Sequence, residues 1–255
     1  MTPVPRLFEK RRFPLVFAHR GAHAVAPENS LQSFEEAIQM GCDGIELDIR
    51  FTATRDIVVF HDRRLLRMTG RLGKVHKMPI EKLRRIYLRG DPNHRIPTLE
   101  DVLDLLRDRV LINLDIKPHP FYMDGLEARL VKMLRDFKLR ENIIISSFNF
   151  KILKRIAALA PEYHLGYIFR HKIYTLFIEQ EILHSMHPNH RLVNQFYVDH
   201  LHERGFAIHV WTVDRPKAME KMIRLGVDAI ITNKPEVYFQ VVKKIRETSP
   251  LVTQG

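Results

Sequence analysis

Short apolar runs of β type alternate along most of this chain with longer segments of helical periodicity. Strands that alternate with helices form parallel sheets covered by those helices, so this alternation constrains the fold more than any other feature. The β-type runs are Leu15–Ala18, Gly44–Ile49, Val110–Ile116, Ile143–Ser147, His164–Ile168, Ile182–Met186, Ala207–Thr212 and Ala229–Thr232. The helical segments are Ser30–Met40, Met123–Phe137, Phe150–Ala160, Leu176–Glu181, Leu192–Arg204, Pro216–Leu225 and Pro235–Arg246. Eight such runs predict a closed (β/α)8 TIM barrel of the α/β class.

The alternation is interrupted once, between the second and third β-type runs. An insertion of about residues 52–98 stands there, with a further β-type run at Ile57–His61 and a short helix expected near Pro79–Leu88. No linker or repeat divides the chain, so we expect one domain over residues 1–255, with the insertion beside the barrel mouth. An open doubly wound sheet is the alternative, but the glycine fingerprint of dinucleotide-binding proteins is absent from the sequence.

The composition narrows the class of protein. The chain is 45% apolar and 28% charged, as in ordinary globular proteins, and its only cysteine, Cys42, excludes an internal disulfide and a multi-cysteine metal site. No apolar run reaches the roughly 18 residues of a membrane span. No signal-peptide pattern is found, so a cytoplasmic location is expected. The net charge of +11 serves either solubility or attraction to phosphates, and the basic residues are not gathered in a tail.

Carboxylates mark the ends of neighbouring β-type runs, where the active site of a TIM barrel lies. Glu46 and Asp48 are two residues apart, so both side chains project to the same side of their strand. Asp115 and Lys117 repeat this spacing on the next barrel strand. Three convergent carboxylates suit a hard divalent cation such as Mg²⁺, Ca²⁺ or Mn²⁺. A buried ion-pair network that includes Arg20 and Lys117 is an equally weighted alternative.

Two histidines and an aromatic residue complete the candidate site. His19 ends the first strand and His61 lies in the insertion, and two imidazoles beside a metal can act as general base and general acid. Arg20 and Lys117 have the chemistry of phosphate ligands. Trp211, the only tryptophan, ends the seventh predicted strand and either packs in the core or forms a wall of a substrate pocket.

Taken together, these motifs resemble the glycerophosphodiester phosphodiesterase family over about residues 15 to 240. Each motif is weak alone, and their occurrence in this order carries the resemblance. The matching stretches are Ala18–Gly21, Pro27–Ser30 with Phe34 and Ala37, Gly44–Ile49, Val58–Asp62, Ile96–Glu100, Asn113–Lys117, Ser146–Phe148, Val210–Val213 and Gly226–Pro235.

The resemblance implies a TIM barrel with an insertion after the second strand. It also implies metal-dependent cleavage of glycerophosphodiesters, as small-molecule substrates, to glycerol 3-phosphate and an alcohol. The implied roles are ligation of one divalent cation (Mg²⁺ or Ca²⁺, or else Mn²⁺) by Glu46, Asp48 and Asp115, acid–base catalysis by His19 and His61, phosphate binding by Arg20 and Lys117, and a wall of the glycerol pocket from Trp211. Glu28 falls in a family motif as an accessory residue, which either helps to bind the metal or fixes its loop.

The sequence departs from the family pattern at three places. Asp115 stands where the family usually has Glu, which shortens the expected ligand by one methylene group. Ser30 replaces the usual Thr and can still cap the first helix. The usual Asp-Gly turn before the strand at Ile57 is replaced by Arg55-Asp56, so the conformation of this turn is not predicted.

Three alternative functions are weighed against this interpretation. The first is a phospholipase-D-like enzyme that acts on lysophospholipids with transient membrane contact, since the apolar run Ile173–Ile178 follows Arg170, His171 and Lys172 and could touch lipid. The start of an ordinary amphipathic helix is the favoured explanation of that run. A nucleic-acid binder is not expected, because no binding motif is found. The third alternative is a barrel that binds phosphate without turnover. The oligomeric state is not predicted.

Overall fold

A computed structural model describes residues 11–89, 93–118, 125–171 and 180–248. Its strands are β1 (Leu15–His19), β2 (Gly44–Phe51), β3 (Ile57–Val59), β4 (Leu111–Ile116), β5 (Ile143–Ser147), β6 (His164–Phe169), β7 (Ser185–Pro188), β8 (Ala207–Val210) and β9 (Ala229–Thr232). Its α-helices are α1 (Leu31–Gln39), α2 (Leu66–Thr69), α3 (Ile80–Leu83), α4 (Leu99–Leu106), α5 (Leu126–Asp136), α6 (Phe150–Leu159), α7 (Gln195–Glu203), α8 (Pro216–Leu225) and α9 (Pro235–Thr248). Short 3₁₀ helices span Val75–Lys77, Gln180–Ile182 and His190–Leu192.

Eight of these strands form a closed parallel barrel. They pair in the order β1, β2, β4, β5, β6, β7, β8 and β9, and β9 pairs with β1 to close the ring. The helices that follow the strands cover the barrel, which confirms the predicted TIM barrel. Strand β3 belongs to the insertion and pairs antiparallel with the end of β2, with Val59 opposite Ile49.

The barrel interior changes from apolar at one end to polar at the other. A small apolar cluster fills the amino-terminal end and comprises Leu15, Phe17, Leu111, Ile144, Ala229 and Ile231. Gly44 makes room there, because a Cβ at this position would lie 2.3 Å from the Phe17 ring. The main core lies between the barrel and its helices. The carboxyl-terminal end of the barrel is therefore left to polar side chains.

The insertion has a hydrophobic core of its own. Val58, Phe60, Leu65, Val75, Leu83, Ile86, Leu88 and Ile96 form it. The β-type run at Ile57–His61 and the helix near Pro79–Leu88 are confirmed in kind, but strand β3 ends at Val59 and α3 spans only Ile80–Leu83. The main chain of residues 63–75 folds back on itself, since Arg64 pairs antiparallel with Lys74. We call residues 63–75 the insertion hairpin.

Helix α4 is absent from the helices predicted from the sequence. It begins with a capping box, in which the Thr98 hydroxyl accepts a hydrogen bond from the Asp101 amide while the Asp101 carboxylate accepts one from the Thr98 amide. Leu99, Val102, Leu103 and Leu106 are all fully buried. The Thr-x-x-Asp signal and this helical spacing are both present in the sequence and could have located α4.

The predicted strand Ile182–Met186 is wrong in its bounds, because strand β7 begins only at Ser185 and a 3₁₀ helix ends at Ile182. The apolar pattern misplaces this strand because Ser185 and His187 are buried polar residues of β7. They are hydrogen-bonded to each other, since the Ser185 hydroxyl lies 2.8 Å from His187 Nε2. A strand with hydrogen-bonded polar groups inside the barrel does not produce an apolar run.

Several helix bounds also differ from the predictions. The helix predicted at Leu192–Arg204 begins only at Gln195, where the Asn194 side chain accepts a hydrogen bond from the Tyr197 amide. The helix predicted at Leu176–Glu181 and the run Ile173–Ile178 lie almost wholly outside the described residues, as does the start of the helix predicted at Met123–Phe137. Among the described helices, none has the length and hydropathy that a membrane crossing requires.

Two of the departures from the family pattern are accommodated locally. Ser30 caps α1, because its hydroxyl accepts a hydrogen bond from the Ser33 amide at 3.1 Å. Arg55 adopts a left-handed conformation, with φ of 63°, in a turn closed by a hydrogen bond from the Thr52 amide to the Asp56 carbonyl. This is the conformation that glycine favours, so the turn forms here without one.

A substitution at Gly21 tests how tightly the loop after β1 is packed. It has φ of +81°, and a Cβ there would lie 2.7 Å from the Ser33 carbonyl carbon. We expect Gly21→Ala to lower the free energy of unfolding by about 1–3 kcal/mol more than Gly205→Ala does, because overpacking adds to the backbone cost. Gly205 is a matched control with φ of +79° and no atom within 4 Å of the added Cβ. Equal losses in urea unfolding would contradict this packing argument.

Candidate active site

Strand register brings three carboxylates together at the carboxyl-terminal end of the barrel. Asp48 on β2 lies opposite Asp115 on β4, and Glu46 lies opposite His19 on β1. Side chains alternate along a strand, so Glu46 and Asp48 face the interior together. One oxygen from each of Glu46, Asp48 and Asp115 lies within 4.8 Å of the others, and all three residues are buried.

Asp48 is the most heavily paired of these carboxylates. Its Oδ1 lies 2.7 Å from Lys117 Nζ, and its Oδ2 lies 3.1 Å from Arg20 Nε. The Asn29 side-chain amide donates to Oδ2 at 2.8 Å. Burial acts to raise the pKa of Asp48, but the charges of Lys117 and Arg20 outweigh it and hold this pKa below its ordinary value. Asp48 is therefore ionised inside the protein.

Glu46 and Asp115 are less well compensated. Glu46 Oε2 and Asp115 Oδ1 are buried, and neither accepts a hydrogen bond from the described residues. Burial and the charges of Asp48 and Asp115 raise the pKa of Glu46 well above its ordinary value. Burial also raises the pKa of Asp115, although Lys117 Nζ donates a hydrogen bond to its other oxygen.

The predicted ion-pair network and the predicted cation-binding geometry therefore coexist. Lys117 and Arg20 pair with Asp48, and Lys117 also pairs with Asp115. One buried oxygen of each carboxylate still accepts no hydrogen bond from the described residues: Glu46 Oε2, Asp48 Oδ1 and Asp115 Oδ1. Ligands that are all oxygen, buried and anionic fit a hard divalent cation. The residues present thus suit such an ion, although their chemistry does not select among Mg²⁺, Ca²⁺ and Mn²⁺.

His19 is held in place from the last barrel strand. Its Nδ1 donates to Asn233 Oδ1 at 2.5 Å, and Asn233 in turn donates from Nδ2 to Asp214 Oδ2 at 2.7 Å. The other ring nitrogen, Nε2, lies 3.8 Å from Glu46 Oε2. Burial, together with the positive charge of Arg20, lowers the pKa of His19 to about 4. Its imidazole is therefore neutral near pH 7.

His61 reaches the same end of the barrel through the insertion. Strand β3 turns back along β2, and the Phe60 amide donates to the Asp48 carbonyl at 2.9 Å. Arg50 Nε donates to the His61 carbonyl at 2.7 Å, which fixes the main chain at this residue. His61 Nδ1 donates to Asp62 Oδ1 at 2.7 Å, so a carboxylate orients the ring.

Arg67 ties the insertion to the first barrel loop. Its guanidinium donates to Asp62 Oδ2 at 2.6 Å and to both carboxylate oxygens of Glu28, at 2.6 and 2.9 Å. Arg20 Nη1 also donates to Glu28 Oε1, at 3.2 Å. Glu28 therefore lies between two arginines rather than among the three clustered carboxylates. This arrangement favours the second of its predicted roles, which is to fix its loop.

These polar groups surround one cavity of about 160 Å³ at the barrel mouth. Its lining residues are His19, Arg20, Glu46, His61, Asn113, Asp115, Lys117, Phe148, Ile168, Arg170, His187, Trp211, Thr212 and Ile231. The two histidines thus face a common space with two of the clustered carboxylates. Asp48 lies beneath this surface, where it is fully buried.

Trp211 forms part of an aromatic wall of this cavity. Its ring meets the Phe148 ring edge to face, with centroids 5.4 Å apart, and its indole N–H donates to the His187 carbonyl at 2.7 Å. The guanidinium of Arg170 lies 5.4 Å from the Trp211 ring centroid and 5.7 Å from that of Phe148. Trp211 is therefore a wall of the cavity, and it also packs against the small apolar cluster inside the barrel.

The sequence analysis overlooks several residues that position these groups. Arg67 and Arg170 are among many arginines, and no spacing in the sequence marks them. Asn233 lies inside a motif already quoted, directly after the last strand, and could have been proposed from its place at the barrel mouth. Asn29 is also in a quoted motif, but its φ of 57° and its contact with Asp48 depend on the folded loop.

Comparisons with known proteins agree with this geometry. A model of the glycerophosphoryl diester phosphodiesterase family matches residues 19–237. A glycerophosphodiester phosphodiesterase of Caldanaerobacter subterraneus is 34% identical over 239 residues, which cover 90% of this chain and 98% of that protein. A protein of the same name from Bacillus altitudinis is 31% identical and covers 87% of this chain and 95% of its own length.

Solved structures show the same architecture. A phosphodiesterase of Oleispira antarctica, solved with the product sn-glycerol-3-phosphate, superposes with a TM-score of 0.81 at 26% identity and covers 91% of this chain and 97% of its own. A glycerophosphodiester phosphodiesterase of Thermotoga maritima gives a TM-score of 0.77 at 26% identity, with coverage of 91% and 100%. The barrel and the similarity therefore extend over nearly the whole chain.

The uneven pairing of the carboxylates predicts opposite effects for two substitutions in the presence of a chelator. Asp48→Asn should lower the free energy of unfolding by about 3–5 kcal/mol, since it removes the buried negative charge with which both Lys117 and Arg20 pair. Glu46→Gln should raise it at pH 7. A carboxyl whose pKa is raised on folding destabilises the protein as the pH rises above its unfolded value of about 4.3, and glutamine carries no such charge.

Urea unfolding between pH 4 and pH 8 measures both effects. The gain from Glu46→Gln should vanish toward pH 4, and an added divalent cation should stabilise the unmodified protein more than this variant. Glu247→Gln is the control, because Glu247 is an exposed carboxylate on α9. A stability loss in Glu46→Gln under chelator at pH 7 would show that Glu46 is compensated by the protein alone.

Proposed function

The chain belongs to the glycerophosphoryl diester phosphodiesterase family, and from this membership we propose that it hydrolyses glycerophosphodiesters to glycerol 3-phosphate and an alcohol with the aid of one divalent cation. The observation that carries the proposal is the shared cavity. Two histidines, two of three clustered carboxylates and two phosphate-type cations line it together. Each of these groups has a separate task in the cleavage of a phosphodiester.

Glu46, Asp48 and Asp115 would hold the cation. When bound, a divalent ion polarises the phosphoryl oxygens and stabilises the charge that grows on them. Asp115 is the shorter homologue of the glutamate that the family usually has at this position, and its Oδ1 is buried without a hydrogen bond from the described residues. An aspartate here would therefore still offer an oxygen to the cation.

Arg20 and Lys117 would bind the phosphodiester. Both line the cavity, and both are held by the buried Asp48, which fixes their positions before a substrate enters. Preformed positive charge of this kind stabilises a transition state without reorganisation. Trp211 and Phe148 together form one wall of the cavity. This wall would contact the carbon chain of the glycerol.

His19 and His61 would move the protons. One histidine deprotonates the nucleophile, and the other protonates the departing alkoxide. Each ring is oriented through its Nδ1, His19 by Asn233 and His61 by Asp62, so each presents Nε2 for transfer. The nucleophile is either the substrate's own glycerol hydroxyl, which gives a transient cyclic phosphate, or a water molecule.

Lysophospholipids are the second class of substrate weighed in the sequence analysis. The segment that favours them, Ile173–Ile178, lies outside the described residues, so no contact supports or opposes this alternative. Turnover of lysophosphatidylcholine compared with glycerophosphocholine distinguishes the two substrates.

Release of glycerol 3-phosphate tests the proposed function directly. We expect the protein to release it from a panel of glycerophosphodiesters, to lose this activity in chelator, and to regain it with Mg²⁺, Ca²⁺ or Mn²⁺. His19→Ala and His61→Ala should each lower the rate by about 10²–10⁴-fold, because each removes one proton-transfer group.

The matched control is His200→Ala, since His200 is an exposed histidine on α7 that stacks on Phe196. It should keep full activity. Full activity in both His19→Ala and His61→Ala would exclude the two-histidine mechanism. A panel without any glycerol 3-phosphate release, with or without added cations, would exclude the function.

Arg67 should act as a positioning residue through Asp62. In Arg67→Met the Asp62 carboxylate loses its cation and is freer to turn away from His61, so we expect a fall in kcat of about tenfold or more with a smaller change in KM. The pH profile of kcat should shift as well, because the environment of the His61 ring changes. Arg67→Lys should recover part of the rate. An unchanged pH profile in Arg67→Met would show that Arg67 only anchors the loop.

A further inference from the structure

The positive charge of the chain is concentrated in the insertion. Residues 52–98 contain 12 lysines and arginines but only 4 aspartates and glutamates, so this segment carries a net charge of +8 out of +11 for the whole protein. The insertion hairpin, residues 63–75, contains five basic residues and no acidic residue. The basic charge is thus a local property of one face, although it is not gathered in a tail.

Most of the cations of the insertion hairpin have no anionic partner. Arg67 binds Glu28 and Asp62, but Arg63, Arg64, Arg71 and Lys74 form no ion pair among the described residues. Arg63, Arg64 and Arg71 are exposed. Their charge is therefore available to an external anion.

Exposed apolar side chains gather on the same side of the molecule. Leu72 is 82% exposed and Leu66 is 48% exposed, and both lie at the turn of the insertion hairpin. Large exposed apolar residues elsewhere in the described part of the chain are Val25, Tyr87, Phe148, Leu159 and Phe196. Leu159 lies at the far end of the barrel, because α6 ends there, and Tyr87 lies in the insertion but outside the insertion hairpin.

Three other exposed residues lie at the barrel mouth. Val25 is in the loop between β1 and α1, Phe148 follows β5, and Phe196 is in the first turn of α7. Helices of a TIM barrel run antiparallel to its strands, so all three positions are at the carboxyl-terminal end of the barrel, where the cavity opens. We call this end, together with the insertion hairpin, the mouth face.

We propose that the mouth face docks on an anionic phospholipid bilayer, with Leu66 and Leu72 in the interface and Arg63, Arg64, Arg71 and Lys74 against the lipid phosphates. Exposed apolar groups rimmed by basic residues have the chemistry of interfacial binding. The Arg67 contacts with Glu28 and Asp62 join the insertion hairpin to the cavity, so docking brings the cavity to the membrane surface. This inference does not depend on the proposed reaction.

The exposed side chains favour a bilayer over nucleic acid. Nucleic-acid surfaces combine basic residues with aromatic rings on which the bases stack. The turn of the insertion hairpin presents leucines instead, and aliphatic side chains insert among acyl chains but offer no stacking face. Charge therefore matches both partners, and the apolar component matches the bilayer.

Sedimentation with vesicles tests this proposal on the full chain. We expect the protein to bind vesicles of equal parts phosphatidylcholine and phosphatidylglycerol and not vesicles of phosphatidylcholine alone, and we expect high salt to weaken binding. The triple variant Arg71→Gln, Leu72→Ser, Lys74→Gln should lose at least about tenfold in affinity for the anionic vesicles, since it removes two charges and one apolar contact.

A second triple variant provides the matched control. Lys243→Gln, Lys244→Gln and Leu159→Ser make the same change in charge and apolar surface away from the mouth face, and this variant should bind like the unmodified protein. Thermal unfolding of both variants confirms that they fold. Equal loss of vesicle binding in the two triples would overturn the proposal.

Other occupants of the mouth face give different results. Tighter binding to a random duplex oligonucleotide than to the anionic vesicles, abolished by the Arg71, Leu72 and Lys74 triple, would assign the surface to nucleic acid and overturn the proposal. A dimer that this triple dissociates, without vesicle binding by the unmodified protein, would assign it to a second copy of the chain. Hydrolysis of soluble glycerophosphocholine is measured in parallel, so failure of docking and failure of the proposed reaction are distinguished.

Discussion

The carboxylate of Asp48 is buried where β2 pairs with β4, and an ionised group in such a place is stable only when oppositely charged partners and hydrogen bonds surround it. Its partners come from three segments: Lys117 after β4, Arg20 after β1, and Asn29 from the loop that leads into α1. The charge of Asp48 thus joins the carboxyl-terminal ends of β1, β2 and β4. Lys117 and Arg20, which we propose as the phosphate ligands, are held in place by the same contacts that stabilise this charge.

This pairing also explains why the neighbouring carboxylates suit a metal. Two cations pair with Asp48 and one of them also with Asp115, yet Glu46 Oε2 and Asp115 Oδ1 stay buried without a hydrogen bond from any described residue. Burial and repulsion from the charge of Asp48 raise the pKa of both groups. A fold that only needed stability could replace them with apolar residues. Their presence at the end of parallel strands is better explained by a ligand with positive charge.

The sequence predicts the barrel and the clustered carboxylates because both follow from local periodicity. Eight β-type runs define the strands, and a spacing of two places Glu46 and Asp48 on one face. Tertiary contacts decide the rest. Strand β7 is misplaced because the barrel interior holds His187 and Ser185, which bond each other, and burial lowers the pKa of His187 to about 3. Arg67 is invisible to periodicity, because its partners lie 5 and 39 residues away.

The barrel and the insertion contribute charges of opposite sign to the barrel mouth. The barrel supplies buried negative charge, whereas the insertion supplies His61 and a net charge of +8 around the mouth. A basic rim attracts anionic molecules toward the cavity over a distance set by the salt concentration, and the acidic interior repels them unless its charge is neutralised. An anionic substrate thus meets the positive charge of the rim first and the negative charge of the interior second. Changes in the exposed part of the insertion hairpin can therefore alter which surfaces or substrates approach, while the strand register that sets the chemistry stays unchanged.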